Sequence, residues 1–263
     1  MSGNDNRFPL RLALARWLHV RNRPHTVKRE SVNFIRYLLE EWIPPALRDS
    51  TPMRWLFRSY WGRFVDDLEA FRANIHHVTA EQYADIYRRM PRIQQGTDNS
   101  AACIERLADL MLPGSVCDVG CGTGYLLGAL AARSGEELHQ FTGVDFQLEA
   151  GIAERHPGMR FREADVERMP FADGEFDTVI CTHVLEHVLH IDRTIAELRR
   201  VTARRLLVIV PLEREYRFTF NPHVHFFPYP HSFLRHIVPV PANTRCEVIG
   251  RDLLYIEDKD PPV

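Results

Sequence analysis

The stretch VCDVGCGTGYLLGAL, Val116 to Leu130, places three glycines in five positions between a short apolar run and a segment with helical spacing. A strand that runs into a glycine-rich turn and then a helix brings backbone N–H groups and the positive helix end toward a bound ligand. Turns of this kind belong to open α/β sheets, so this stretch constrains the fold more than any other. It does not by itself choose the ligand.

The rest of the chain fits that frame. From about Met111 onward, short β-branched runs alternate with longer helical patterns, the signature of a parallel α/β sheet with helices on both faces. Strands are predicted at SVCDVG, QFTGVDF, MRFREAD, DTVICTH and RLLVIVP, with helices at about Tyr125 to Ser134, Gln147 to Arg155 and Ile191 to Val201. In the last helix, Ile191, Ile195 and Leu198 are spaced for one buried face. After Pro211 a loop rich in histidine and aromatic residues leads to a helix near Ser232 to Ile237, and TRCEVIG and DLLYIED are close enough to form a hairpin. The expectation is a seven-stranded, mostly parallel sheet with an antiparallel edge strand.

The first hundred residues read as helical segments rich in Trp, Tyr, Phe and Arg, punctuated by prolines. Two domains are expected, a helical N-terminal cap over 1–99 and the sheet domain over 100–263. Between Met1 and Tyr60 there are 11 Lys or Arg against 5 Asp or Glu. That excess reads either as a solvated arginine-rich surface or as an amphipathic anchor or cleft for an anionic group.

Bulk properties set outer limits. The chain has 263 residues, 45% of them apolar, and a formal net charge of -2, which gives no global signal for nucleic acid or for an acidic partner. Five cysteines with no CxxC pair, several inside apolar runs, suit small hydrophobes in a reducing, cytoplasmic setting. Arg11 and Arg16 interrupt the apolar patch PLRLALARWLHV, so neither a signal peptide nor a membrane span is expected. Peripheral membrane contact stays open.

The neighbours of the glycines narrow the ligand. A dinucleotide fingerprint needs G-x-G-x-x-G, but Gly120, Gly122 and Gly124 give G-x-G-x-G and Tyr125 stands where the next glycine should be. No G-K-[ST] follows, which excludes a Walker loop. Asp118, at the end of the strand, would repel pyrophosphate and suit a cation reaching across the loop. S-adenosylmethionine supplies an ammonium and a sulfonium, and no phosphate.

DVGCGTG, then GVDF, then EADVERMPFADGEFDTVICTHVLEHV and a strand ending LVIVP together resemble the class I S-adenosylmethionine-dependent methyltransferase family, in its small-molecule, type 11-like branch. The resemblance covers about Ile104 to Pro211 and implies a Rossmann-like fold. It implies that Asp118 to Gly124 form the cofactor loop and that Asp145 accepts from both ribose hydroxyls, for which a carboxylate's two oxygens are suited. It further implies that Phe146 packs on the adenine edge and that Asp165 and Val166 read adenine. Thr182 and His183 fall at the carboxyl edge of the sheet, where open α/β folds place ligands. Tyr83 and Tyr87, four apart on a predicted helix, could close over the methionine end or pack in a core.

Methyl transfer from a sulfonium chiefly needs alignment, and a general base only where the acceptor must lose a proton. His187, His223 and His225 are the candidate bases, each with a packing role as the alternative. The H-x-x-x-H spacing of His183 and His187 could place both rings on one helical face, but the resemblance implies a Glu-His here without metal and spacing indicates no third ligand. No metal is expected. The reaction implied is methyl transfer to an O, N or C atom of a small molecule such as a sugar, a lipid-linked intermediate or a secondary metabolite. RNA or protein methylation, for which no N-P-P-Y-type motif follows the fourth strand, and a non-catalytic cofactor-binding partner protein are the alternatives.

Overall fold

A computed structural model describes residues 37–62, 64–79, 83, 96–134, 139–217 and 222–259. The chain divides into two compact units, one comprising Met1–Thr79 with Tyr216–Pro222 and the other Ala80–Glu215 with His223–Val263.

In the first unit a π-helical turn at Leu38–Trp42 precedes helices α1 (Pro45–Arg48), α2 (Thr51–Trp61) and α3 (Phe64–Ala73). Proline stands in the first turn of both α1 and α2, where a missing N–H leaves no intrahelical bond unmade. Ser50 caps α2 by accepting from the Met53 amide. Leu39, Phe57 and Val65 form the small core, with Ile43 and Met53 against it. Arg54 lies 3.0 Å from Asp66 and 3.1 Å from Glu69, and Arg58 lies 3.4 Å from Asp66. Arginines of the basic segment that fall among the described residues therefore meet carboxylates instead of forming a bare cationic face. Those before position 37 lie outside the described residues.

The second unit is built on seven strands: β1 (Gly114–Val119), β2 (His139–Asp145), β3 (Arg160–Glu163), β4 (Phe176–Thr182), β5 (Thr202–Pro211), β6 (Thr244–Ile249) and β7 (Asp252–Asp258). They form one sheet in the order β3-β2-β1-β4-β5-β7-β6. Strands β1 to β5 run parallel, and β7 runs antiparallel to both β5 and β6. The sheet is mostly parallel as the sequence implies, and the hairpin turns back inward so that β7 lies next to β5. The reason is visible in the two sequences. DLLYIE is buried along its length, whereas TRCEVI leaves Arg245, Cys246 and Val248 exposed and makes the outermost strand.

Alternation along the central strands feeds two cores. Cys117, Val119, Val179, Cys181, Leu206 and Val208 face one side, covered by Ile191, Ile195 and Leu198 of α7 (Ile191–Val201, after α4 to α6 below). Val116, Ile180, Leu207, Ile209 and Leu254 face the other, covered by α4 (Ala101–Leu110) and α5 (Tyr125–Ala131). Burying each such side chain stabilises the fold by about 1.5–3 kcal/mol. Helix α4 has no counterpart among the helices read from the sequence. Its signal is Ser100, whose Oγ accepts from the Cys103 amide at 3.1 Å.

Three helices are shorter than their patterns suggest, with α5 ending at Ala131 where the pattern runs to Ser134. Helix α6 spans Ile152–Arg155, because Gly151 at φ 75° starts it late and Asp145 Oδ1 holds the Gln147 amide in a turn. Helix α8 spans Pro230–Leu234, started by its own first-turn proline and followed to Ile237 by single turns. All five cysteines are free thiols, four buried and Cys246 exposed. Among the described residues no helix is long and apolar enough to cross a membrane.

The strand order places a topological switch between β1 and β4. From β1 the chain moves outward to β2 and β3, then returns to β4 on the other side. Connections leave in opposite directions there and open a crevice at the carboxyl ends of the two strands.

Candidate functional site

The chain leaves β1 after Val119 and turns at once. The amides of Gly120 and Cys121 both donate to the Val144 carbonyl, at 2.7 and 2.9 Å. Gly120 adopts φ 81°, and a Cβ there would sit 2.2 Å from Cγ2 of Val184, so the turn admits no side chain at this position. Gly122, at φ 53°, has nothing within 4 Å of where its Cβ would be. That side of the loop is open. Gly124 then caps α5 in the left-handed conformation.

Asp118 lies in β1 beneath the loop. It is 1% exposed, and neither carboxylate oxygen has a hydrogen-bond partner. Burial, with the nearby Asp145 charge adding to it, pushes its pKa up to about 7. A buried carboxylate without donors is costly unless a bound group supplies them. The ammonium of S-adenosylmethionine is such a group, and a pyrophosphate is not.

Asp145 ends β2 and is buried. Its Oδ2 accepts from the Gly122 amide at 2.9 Å and its Oδ1 from the Gln147 amide at 3.2 Å. Each carboxylate oxygen has a second lone pair, so both can also accept from hydroxyls. Phe146, next in sequence, is 40% exposed. Beyond β3, Asp165 is exposed and its Oδ1 accepts from the Glu167 amide at 2.9 Å, while Val166 packs partly against the core. That packing fixes the turn on which the Val166 amide and the Asp165 side chain sit.

Thr182 ends β4, and its hydroxyl accepts from Asn99 Nδ2 at 2.9 Å. Asn99 is buried and its Oδ1 has no partner, which makes it a polar group of this crevice that the sequence reading missed. Its only local signal is its place just before the Ser100 cap. His183 follows at φ 54°, a left-handed conformation that a non-glycine residue adopts under constraint, and its amide donates to the Ile209 carbonyl at 2.9 Å.

The segment from His183 to His190 is a set of turns, so the helical face that the H-x-x-x-H spacing could have given His183 and His187 does not form. Gly120 requires Val184 close to the loop, and the His187 amide closes a turn onto the Val184 carbonyl at 2.9 Å. The turn brings other partners together. His183 Nδ1 lies 3.5 Å from Glu186 Oε1, and His187 Nε2 lies 4.0 Å from the same oxygen. The His187 and His223 rings meet edge to face with centroids 4.6 Å apart. His223 Nδ1 donates to Glu213 Oε1, and both residues are buried. The amides of Val224 and His225 both donate to the Glu186 carbonyl, at 2.8 and 3.1 Å, so this later segment is docked on the turn by its backbone.

Charge is divided unevenly in this cluster. Burial opposes ionisation of Glu186, but the hydrogen bond from His183 and the surrounding imidazoles override it and hold the carboxyl below its usual range. Burial likewise opposes protonation of His183, and Glu186 reverses the outcome, raising it. His187 is kept neutral, by burial first and by His223 second. His225 is lowered, chiefly by burial, and its Nε2 donates to the Val188 carbonyl at 2.9 Å. Tyr83 donates its hydroxyl to the His187 carbonyl, and Tyr87 lies outside the described residues.

Residues 117–209 match the Methyltransferase domain family. Malonyl-[acyl-carrier protein] O-methyltransferase of Legionella pneumophila is 31% identical over 126 residues, covering 46% of this chain and 43% of that protein. The 2-phytyl-1,4-naphtoquinone methyltransferase of Trichormus variabilis is 37% identical over 98 residues, covering 34% of this chain and 42% of that protein. A Mycobacterium tuberculosis protein named "Probable S-adenosylmethionine-dependent methyltransferase" is 28% identical over 120 residues, covering 45% of this chain and 42% of that protein. The chain spans under half the length of each of these curated relatives.

Proposed function

Because this chain carries a domain of the class I S-adenosylmethionine-dependent methyltransferase family, we propose that it is an enzyme that transfers the cofactor's methyl group to an O, N or C atom of a small molecule. The observation that carries the reading is Asp118, a buried carboxylate with neither oxygen partnered, set under a glycine loop that is open at Gly122. The acceptor classes we favour are a sugar, a lipid-linked intermediate or a secondary metabolite. One of the relatives is named for a naphthoquinone, which supports a small acceptor.

In this reading the residues divide the work by chemistry. Asp118 pairs with the cofactor's ammonium, Asp145 accepts from the ribose hydroxyls, and Asp165 and the Val166 amide hold the adenine with Phe146 along its edge. S-adenosylmethionine, when bound, supplies a methyl already activated by its sulfonium. The protein's remaining task is to align the acceptor and manage its proton. Asn99, Thr182 and His183 line the carboxyl end of β4 and orient polar groups there. His187, held neutral, can take up an acceptor proton, and His223 backs it with Glu213 fixing its tautomer. We place His225 in a positioning role, since its Nε2 is committed to the Val188 carbonyl. Tyr83 anchors the turn through the His187 carbonyl.

The test is turnover. Incubated with methyl-labelled S-adenosylmethionine and a panel of hydroxylated, carboxylated and amino acceptors, the chain should move label to at least one of them and release the demethylated cofactor. Label transferred only to RNA or to protein, or cofactor bound without turnover on any acceptor, would overturn the small-molecule assignment.

A further inference from the structure

We propose that Glu186, His187 and His223 form a binding site for a divalent transition-metal ion, with Glu213 as the partner that orients His223. One ligand atom from each of the three residues lies within 4.8 Å of the others. Ligands bound at about 2.1 Å to a common ion stand roughly 3–3.5 Å apart, so an inward shift of under about an ångström by each side chain completes the site.

Three features point to an ion. The first is donor chemistry, since two imidazole nitrogens and a carboxylate oxygen form the mixed set that suits zinc and its first-row neighbours and that magnesium and calcium do not favour. The second is the tautomer of His223. With Nδ1–H committed to Glu213, the lone pair of that ring sits on Nε2, and a carboxylate behind an imidazole is the usual support of a metal-bound histidine. The third is Glu186. Its side chain is 1% exposed, and its Oε2 is buried with no hydrogen-bond partner. A closed network of histidines and glutamates would satisfy that oxygen, whereas an ion bound beside it does so directly.

The site is held on two segments that the backbone joins. Val224 and His225 donate to the Glu186 carbonyl, which sets the loop carrying His223 against the turn carrying Glu186 and His187. Three protein ligands leave at least one coordination position for an outside oxygen. This deepens the methyl-transfer reading and rests on it only for the ion's role. There the ion would hold an acceptor's hydroxyl or enol oxygen and make its proton more acidic. With the ion bound, His187 serves as a ligand in place of the base role given to it above, and the acidified proton passes to solvent.

The experiment is a calorimetric titration of the chelator-stripped full chain with Zn2+, repeated with Co2+ followed by visible absorption. One equivalent is expected to bind. His223→Ala and Glu186→Gln should each weaken binding by about 100-fold or more, and Glu213→Gln by about 10–100-fold. His223→Cys should keep Zn2+ binding, since a thiolate replaces an imidazole as a ligand but not in a histidine–glutamate hydrogen-bond network. S-adenosylmethionine titrated into each variant reports separately on folding and on the cofactor assignment. Absence of Zn2+ and Co2+ binding, or binding that survives in His187→Ala/His223→Ala, would overturn the metal site whatever the cofactor titration shows.

Discussion

The amide of Gly122 donates to Oδ2 of Asp145 at 2.9 Å, so the open side of the glycine loop is tied to the end of the neighbouring strand. One carboxylate therefore shapes the loop and, in the proposed function, also accepts from the ribose hydroxyls. Replacing Asp145 by Asn keeps an acceptor for Gly122 but loses the charge-assisted bonds to the hydroxyls, each worth about 1.5–3 kcal/mol. Affinity for S-adenosylmethionine should fall by roughly 10–100-fold in Asp145→Asn, and further in Asp145→Ala, measured by calorimetry. Unchanged affinity in Asp145→Ala would remove this residue from the site.

Gly120 and Val184 give a prediction about stability. In Gly120→Ala the backbone at φ 81° costs about 1–3 kcal/mol, and the new methyl also meets Val184 Cγ2. Denaturant unfolding of the single variants and of Gly120→Ala/Val184→Ala should give a positive coupling, with the second change recovering the steric part of the loss and leaving the backbone part. Strict additivity would mean that the two residues do not touch.

Much of this site is legible in sequence because it is local. The turn, the absent fourth glycine and the carboxylates within β1 and at the end of β2 are each set by residues within a few positions in sequence. The strands of the sheet are legible for the same reason, through their alternation. What escapes is set by long-range packing. Asn99 matters through Thr182, and His223 meets His187 only because the backbone of its loop bonds to Glu186. The H-x-x-x-H spacing misleads about His183 and His187, because the close approach of Val184 to Gly120 sets turns where a helix would align the rings.

Asp118 should make cofactor binding pH-dependent. Its pKa is raised from 3.8 to about 7 by burial, so the folded protein without ligand keeps a proton that the unfolded chain releases. Stability from this group is therefore full below pH 3.8 and declines as pH rises toward about 7, with a total effect of a few kcal/mol. A cation beside the carboxylate restores ionisation, so binding of S-adenosylmethionine near pH 6 should release close to one proton. Binding enthalpies near pH 6 should then differ between buffers of different ionisation enthalpy, and the difference should fade near pH 8 and vanish in Asp118→Asn. Buffer-independent enthalpies near pH 6 would contradict the pairing.

Leu198 tests the core on which the crevice rests. It is fully buried on α7 against the face of the sheet that carries Cys117 and Val119. Leu198→Ala should cost about 2–5 kcal/mol, read from the shift of the denaturation midpoint. A loss below about 1 kcal/mol would show that the helix is not seated there.

A loop with G-x-G-x-G over a buried carboxylate is expected to hold a cation and not a pyrophosphate. Calorimetric titration of the full chain with S-adenosylmethionine and, separately, with NAD tests it most directly. One equivalent of S-adenosylmethionine should bind, with no detectable heat from NAD. Tight binding of NAD with none of S-adenosylmethionine would contradict it.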